Sequence, residues 1–307
     1  MSAKGLTDIP GVLVGHASDY DGLTGCTAIL FRGGAPGGLD IRGSATGTEE
    51  LDLLNPLHLT ESVHAVVLAG GSAFGLEAAS GVRRYLEQRG IGFVTPAARV
   101  PLVPAAIIYD LAIGKAAARP TREMGEVAAG AASNAAVSEG AVGAGTGATV
   151  GKLEGMDHAM KSGLGTATVE MPGGVLVSAL AVVNALGNVI DPANGKIVAG
   201  TRKSAGSAEF APAPGQNTTL VVVATNARLS KVHATKLAQF GSLGVARTIA
   251  PVWTTQDGDI TFAFSCGAAD ANLDALGVAA AEAVSRSILR AVRLAPSMGG
   301  LPGLRIQ

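Results

Sequence analysis

Gly215-Gln216-Asn217-Thr218-Thr219-Leu220-Val221-Val222-Val223-Ala224-Thr225-Asn226 is the stretch on which the reading of this chain turns. A run dense in Pro, Ala and Gly leads straight into a Thr- and Val-rich segment without charge, and that composition predicts a buried β-strand. Its first residues, Asn217-Thr218, read as a self-cleavage point. A Thr that opens a core strand is held rigidly, with its hydroxyl in reach of the carbonyl carbon before it. An N-to-O acyl shift followed by hydrolysis then cuts the chain and frees the α-amine of Thr218. That amine, with a reference pKa of about 7.7–8.0, can act as base for its own side chain. Taken alone, Asn-Thr-Thr is also an ordinary turn before a β-branched strand, and that reading prevails until the rest of the chain is weighed.

Composition narrows the classes. In 307 residues, 48% are apolar, 15% charged and 4% aromatic, and 43 are Gly. The core must therefore be built from Ala, Val, Leu and Ile with close backbone contacts, which suits layered helices and sheet. A net charge of −1, with basic residues clustered only in short pairs such as Arg83-Arg84, gives no support for nucleic acid or an anionic membrane as partner. Apolar runs break well before the roughly 18 residues of a membrane span, and residues 1–8 lack the apolar run of a secretory signal, so a cytoplasmic enzyme is expected. Cys26 and Cys266 are then expected to be reduced and structural.

Working outward, Val63–Ala69 reads as a strand, followed by Gly70-Gly71-Ser72-Ala73-Phe74-Gly75 and a helical pattern from Leu76 to Arg89. Ser72 occupies the third position of a dinucleotide fingerprint and Phe74 the Gly position of a nucleophile elbow, so both motifs fail. Gly143 to Leu153 tempts a phosphate-loop reading, but Thr146 stands at its first Gly and Leu153 follows Lys152. Asp257-Gly258-Asp259 lacks the later ligands of a calcium loop, and the five His show no paired metal spacing, so neither metal nor cofactor is expected. Residues 163–171 and 175–184 read as a hairpin ending at Asn184. Further elements are a turn at 33–38, a short helix within 47–61, a strand over 105–111 and helices over 121–139, 230–247 and 271–294. Residues 200–217 read as an accessible linker.

Six motifs fall in an order that resembles the L-aminopeptidase/D-esterase family, which includes β-peptidyl aminopeptidases and a nylon-oligomer hydrolase. They are Ala69 to Ala78, Ile107-Ile108-Tyr109-Asp110, Gly143 to Lys152, Val182-Val183-Asn184, Asn217-Thr218-Thr219 and Asp257-Gly258-Asp259. The resemblance covers essentially the whole chain. It implies an α/β fold, a four-layer αββα sandwich of the N-terminal-nucleophile kind. It also implies one domain over 1–307 that cuts itself into 1–217 and 218–307, with the cut pairs assembling as a homotetramer.

Carried over to this chain, the resemblance makes Thr218 the nucleophile and Asn184 an oxyanion donor. It places Lys152 beside Thr218, has Asp257 and Asp259 orient the Thr218 amine and hydroxyl, and sets Tyr109 at the substrate end. Aminopeptidase members use Ser as nucleophile; Thr with Asp-Gly-Asp is more similar to the nylon-oligomer branch. The implied activity is hydrolysis of amide bonds in short peptides or related oligoamides through an acyl-enzyme, without a cofactor. One alternative is an ornithine-type acetyltransferase, whose strand start usually reads Ala-Thr-Met-Leu rather than Asn217-Thr218-Thr219-Leu220. The other is an uncut, non-catalytic binding protein of the same fold.

Overall fold

The computed structural model describes residues 4–202 and 217–305, so most of the expected linker, 203–216, lies outside the described residues. In chain order the strands Val12–Asp19 (β1), Thr24–Ala35 (β2), Gly37–Ile41 (β3), Thr48–Glu49 (β4), Val63–Ala69 (β5), Ala105–Ile107 (β6), Leu164–Met171 (β7), Val175–Asn184 (β8), Thr218–Ala227 (β9) and Ile260–Ala269 (β10) build two sheets. The first runs β1-β2-β5-β6-β4 and the second β7-β8-β9-β10-β3. Each is antiparallel apart from one parallel pair, β5 with β6 and β9 with β10.

The alternation along β9 shows how the layers arise. Leu220, Val222 and Ala224 face the other sheet and pack in one core with Ile29, Phe31, Val66, Leu68, Phe262 and Phe264. Val221 and Val223 face the opposite way, onto Leu237, Ala238, Val284 and Ile288. Those four belong to the helices Lys231–Thr248 and Leu273–Arg293, here α3 and α4 once Glu77–Glu87 (α1) and Arg122–Gly130 (α2) are counted. On the far side, Ala28, Leu30, Ala65 and Val67 cover Ala78, Val82 and Leu86 of α1 and Ala128 and Ala129 of α2. The order is helix, sheet, sheet, helix, the αββα sandwich. A Val or Leu fully buried in it contributes roughly 1.5–3 kcal/mol.

Small residues set the closest approaches. A Cβ on Gly81 would sit 1.8 Å from Arg122 O, and one on Gly125 would sit 1.9 Å from Ala78 O, so α1 and α2 touch backbone to backbone. The expected turn at 33–38 is a corner between layers. Gly33 and Gly34 take φ of +84° and +81°, and Pro36 alone separates β2 in one sheet from β3 in the other. Side-chain caps start three helices: Thr121 accepts from Met124 N, Ser230 from His233 N, and Asn272 from Ala275 N.

Three elements differ from the sequence reading. The helix expected over 121–139 ends at Gly130, because Ser133 N–H and C=O pair with Val14 at the free edge of β1. The short helix expected within 47–61 is a strand pair with β6 followed by a single 3-10 turn, Leu51–Leu54. The strand expected over 105–111 stops at Ile107, and Tyr109-Asp110 turns away toward the end of β8. Among the described residues no helix is long and apolar enough to cross a membrane.

Candidate active site

Thr218 is the first residue of β9, the central strand of its sheet, and is 3% exposed. Strands on both sides extend to its level. On one flank Asn184, the last residue of β8, stands opposite Thr218 in the ladder. On the other, the parallel register that pairs Leu220 with Ile260 continues backward, so Asn217 bridges to Asp257. The Thr218 hydroxyl donates to Asn217 O at 2.6 Å, and Gly258 N–H donates to the same oxygen at 2.8 Å. The carbonyl of the Asn217–Thr218 bond is thus polarised by two donors at once.

Asn184 is fully buried, and its amide is fixed at both ends. Oδ1 accepts from Thr149 N at 3.0 Å and from Lys152 Nζ at 3.0 Å, while Nδ2 donates to Tyr109 O at 3.0 Å. Lys152 Nζ also donates to Asn184 O at 3.0 Å. Burial pushes the Lys152 amine down to about 7, partly opposed by the negative charge of Asp257 and Asp259. Tyr109, Asp110, Ala112, Ile113, Thr149 and Met156 line a very small cavity against Lys152.

Asp257 and Asp259 are 2% and 4% exposed. The sequence reading aimed both at the Thr218 amine and hydroxyl. Instead Asp257 Oδ2 accepts from Thr254 N and Oγ1, each at 2.7 Å, and Asp259 Oδ1 accepts from Thr219 N at 2.5 Å. In the uncut chain the Thr218 nitrogen is an amide, so the carboxylates are held by the flanking backbone. Burial, then the charge of Asp257, drives the Asp259 carboxyl up to about 7. The backbone of this segment is anchored from the β3–β4 connection, by Ala45 N on Asp257 O at 2.9 Å and Gly43 N on Asp259 O at 3.1 Å.

Every residue singled out from the sequence therefore falls in one buried cluster or directly against it. Gly258 and Thr149 were not singled out. Gly258 lies inside the Asp-Gly-Asp motif, whose chemistry in sequence is that of its carboxylates, and Thr149 carries no signal that distinguishes it from other strand threonines. A second buried charge set, Asp110 and Lys161, lies behind Tyr109. Asp110 accepts from Gly71 N at 2.6 Å and Thr24 Oγ1 at 2.7 Å, while Lys161 Nζ donates to Ala148 O at 2.9 Å, Gly145 O at 3.2 Å and Ser162 O at 2.5 Å. Among the described residues no cluster of three or more His, Cys, Asp or Glu could hold a metal ion, and both cysteines are free thiols.

Known proteins are similar to this chain in sequence and fold. A protein of Mycobacterium leprae (strain TN) described as an uncharacterized aminopeptidase is 38% identical over 97% of this chain and 92% of its own length. The 6-aminohexanoate-oligomer endohydrolase of Kocuria sp. (strain KY2) is 32% identical over 93% of this chain and 85% of its own. The L-aminopeptidase D-Ala-esterase/amidase of Ochrobactrum anthropi, described as a variant of the Ntn hydrolase fold, superposes with a TM-score of 0.76 at 22% identity, covering 97% of this chain and 88% of its own. A β-aminopeptidase of Burkholderia sp. gives 0.74 at 23%, covering 98% and 91%. The fold is that of the N-terminal-nucleophile hydrolases, and the relatives make this chain an amidohydrolase. The sequence pattern of peptidase family S58 matches residues 4–306, and the chain belongs to that family.

Proposed function

We propose that the chain cuts itself between Asn217 and Thr218 and then works as a Thr hydrolase of amide bonds, through an acyl-enzyme on Thr218. The observation that carries this reading is the scissile carbonyl itself. Asn217 O holds both the Thr218 hydroxyl and a backbone N–H while buried beside Lys152, Asp257 and Asp259. The Gly258 bond is the ladder bond of the parallel Asn217–Asp257 bridge; what an ordinary strand start does not need is its own hydroxyl on the preceding carbonyl amid three buried ionisable groups. The cut leaves Thr218 with a free α-amine as base for its own hydroxyl, and Asn184 Nδ2 serves as oxyanion donor to the substrate carbonyl.

The substrates on this reading are short peptides or related oligoamides. Tyr109, whose carbonyl the Asn184 amide holds, stands at the substrate end of the site. Exposed apolar residues such as Leu57, Leu59 and Val94, between 64% and 94% exposed, support assembly of the cut pairs into a homotetramer. Denaturing intact-mass measurement tests the core of the proposal. Wild type is expected as chains 1–217 and 218–307, of roughly 21 and 9 kDa, with Thr at the new N-terminus, and Thr218→Ala as one chain of 30.4 kDa. A wild-type protein that stays whole sinks the reading.

A further inference from the structure

The two strands flanking β9 each bring one hydrogen-bond donor to the neighbourhood of Thr218, and the two donors stand on opposite sides. Asn184 ends β8 on one flank. Gly258 precedes β10 on the other, where continuation of the parallel register brings its N–H to Asn217 O at 2.8 Å. Of these two, it is Gly258 that holds the oxygen of the bond to be cut, while the Asn184 amide reaches to Tyr109 O.

We propose that the two acyl transfers at Thr218 use different oxyanion donors, with the Gly258 N–H serving the self-scission and Asn184 serving substrate turnover. The inference rests on the self-cleaving reading above and adds a division of labour to it. In the scission Thr218 Oγ1 bonds to the Asn217 carbonyl carbon, and the carbonyl π electrons move onto an oxygen already held by Gly258. Collapse breaks the Asn217–Thr218 C–N bond, and the departing amine carries the proton that left the hydroxyl. Water then hydrolyses the ester, leaving Asn217 as a carboxylate and restoring the Thr218 hydroxyl.

Local packing supports a dedicated donor. A Cβ on residue 258 would lie 2.7 Å from Thr218 Oγ1 and 2.7 Å from Ala45 O, so only a glycine lets this N–H come so close with the hydroxyl against its Cα. Its neighbours are tied down on the other side by the Ala45 and Gly43 amides, so the donor is set before any charge develops. Asn184 can be removed from this picture without touching either bond on Asn217 O.

Two altered full-length chains test the assignment, each read by denaturing mass against time. One is made by in vitro translation with glycolic acid at position 258, which replaces the amide by an ester, deletes that N–H and weakens the Asp257 carbonyl as acceptor for Ala45 N–H, a loss the thermal melt reads. Its self-scission is expected to slow by about a hundredfold or more, with a cooperative melt like that of wild type. The other is Asn184→Asp, which keeps acceptors for Lys152 and Thr149 but lacks the amide donor; it is expected to split within a few-fold of the wild-type rate. A glycolic-acid chain that splits as fast as wild type, or a folded Asn184→Asp that stays whole while wild type splits, overturns the assignment alone. A wild-type chain that never splits overturns the self-cleaving reading and this assignment with it.

Discussion

Asn184 and Thr218 stand opposite each other as the last paired residues of β8 and β9, so one strand register places the amide that ends β8 beside the hydroxyl that begins β9. Because that register is fixed by buried side chains on both faces, the hydroxyl can be deleted without moving the ladder. Thr218→Val keeps the shape and loses only the hydroxyl and its bond to Asn217 O, at about 1 kcal/mol. It is expected to melt within a few degrees of wild type and to remain uncut. Thr218→Ser keeps the hydroxyl and is expected to split and to hydrolyse substrate more slowly. Mass spectrometry and thermal melts read both, and a Thr218→Val protein that splits removes Thr218 as nucleophile.

The site is expected to lose activity in acid. Burial brings Lys152 down to about 7 and Asp259 up to about 7, so as pH rises through neutrality Asp259 becomes charged and Lys152 becomes neutral. The Thr218 amine that scission creates must also lose its proton, from a reference pKa of about 7.7–8.0. All of these losses run in one direction, and groups this close titrate together. kcat/KM is therefore expected to fall at least about tenfold per pH unit on the acid side of neutrality. Lys152→Met shifts that inflection, whereas Lys161→Met leaves it in place. A flat profile between about pH 5 and about pH 8 contradicts the assignment.

Lys161 carries a different expectation, in stability. Its amine is fully buried, donates to three backbone carbonyls and faces Asp110, whose carboxyl burial raises above its ordinary range. Lys161→Met leaves those groups without their cation and is expected to cost about 3–5 kcal/mol in denaturant unfolding. Adding Asp110→Asn should recover part of that loss, and strict additivity of the two changes shows that they do not interact. For the lysine itself the sign is set by a folded pKa of about 7, below its ordinary 10.5. The cost of burying its charge is in full force below about 7 and fades as pH rises toward 10.5, so wild type gains stability across that window through this group.

Gly81→Ala probes the layer farthest from the chemistry. The added methyl meets Arg122 O at 1.8 Å and Glu126 N at 2.6 Å, both backbone atoms of α2. The helices must separate, at about 1–3 kcal/mol or more. Thermal melts should show the loss, while the extent of self-scission in the folded fraction stays as in wild type. Failure to split at a temperature where the variant is folded ties this helix pair to the chemistry.

Much of this architecture was legible because it rests on local signals. The run Leu220 to Ala224 reads as a buried strand from its β-branched residues, and α4 reads as a helix from its apolar stripe; both lie where expected, at Thr218–Ala227 and Leu273–Arg293. What was misread depends on contacts distant in sequence. The Ala-rich tail after Gly130 has every local reason to stay helical, and is drawn out only because β1 presents an unpaired edge at Val14. The candidate side chains were visible as motifs, but their partners were not. Asp257 is spent on a local contact with Thr254, three residues before it, while the backbone of Gly258 faces the Asn217 carbonyl through the β9–β10 register, which no spacing in the sequence displays.

Asn217 is 1% exposed, and both Nδ2 and Oδ1 of its side chain are buried with no hydrogen-bond partner among the described residues. An amide so placed carries a penalty of about 1–3 kcal/mol for each group denied water. In the uncut protein the chain continues through this residue, which holds the side chain in place. Once the bond to Thr218 is broken, residue 217 is a chain end that can swing into solvent and hydrate. Resealing would require driving a polar side chain and a new carboxylate back into a dry site. On the proposed self-scission, the uncut form is loaded like a ratchet, and the misfit that weakens it opposes resealing of the bond.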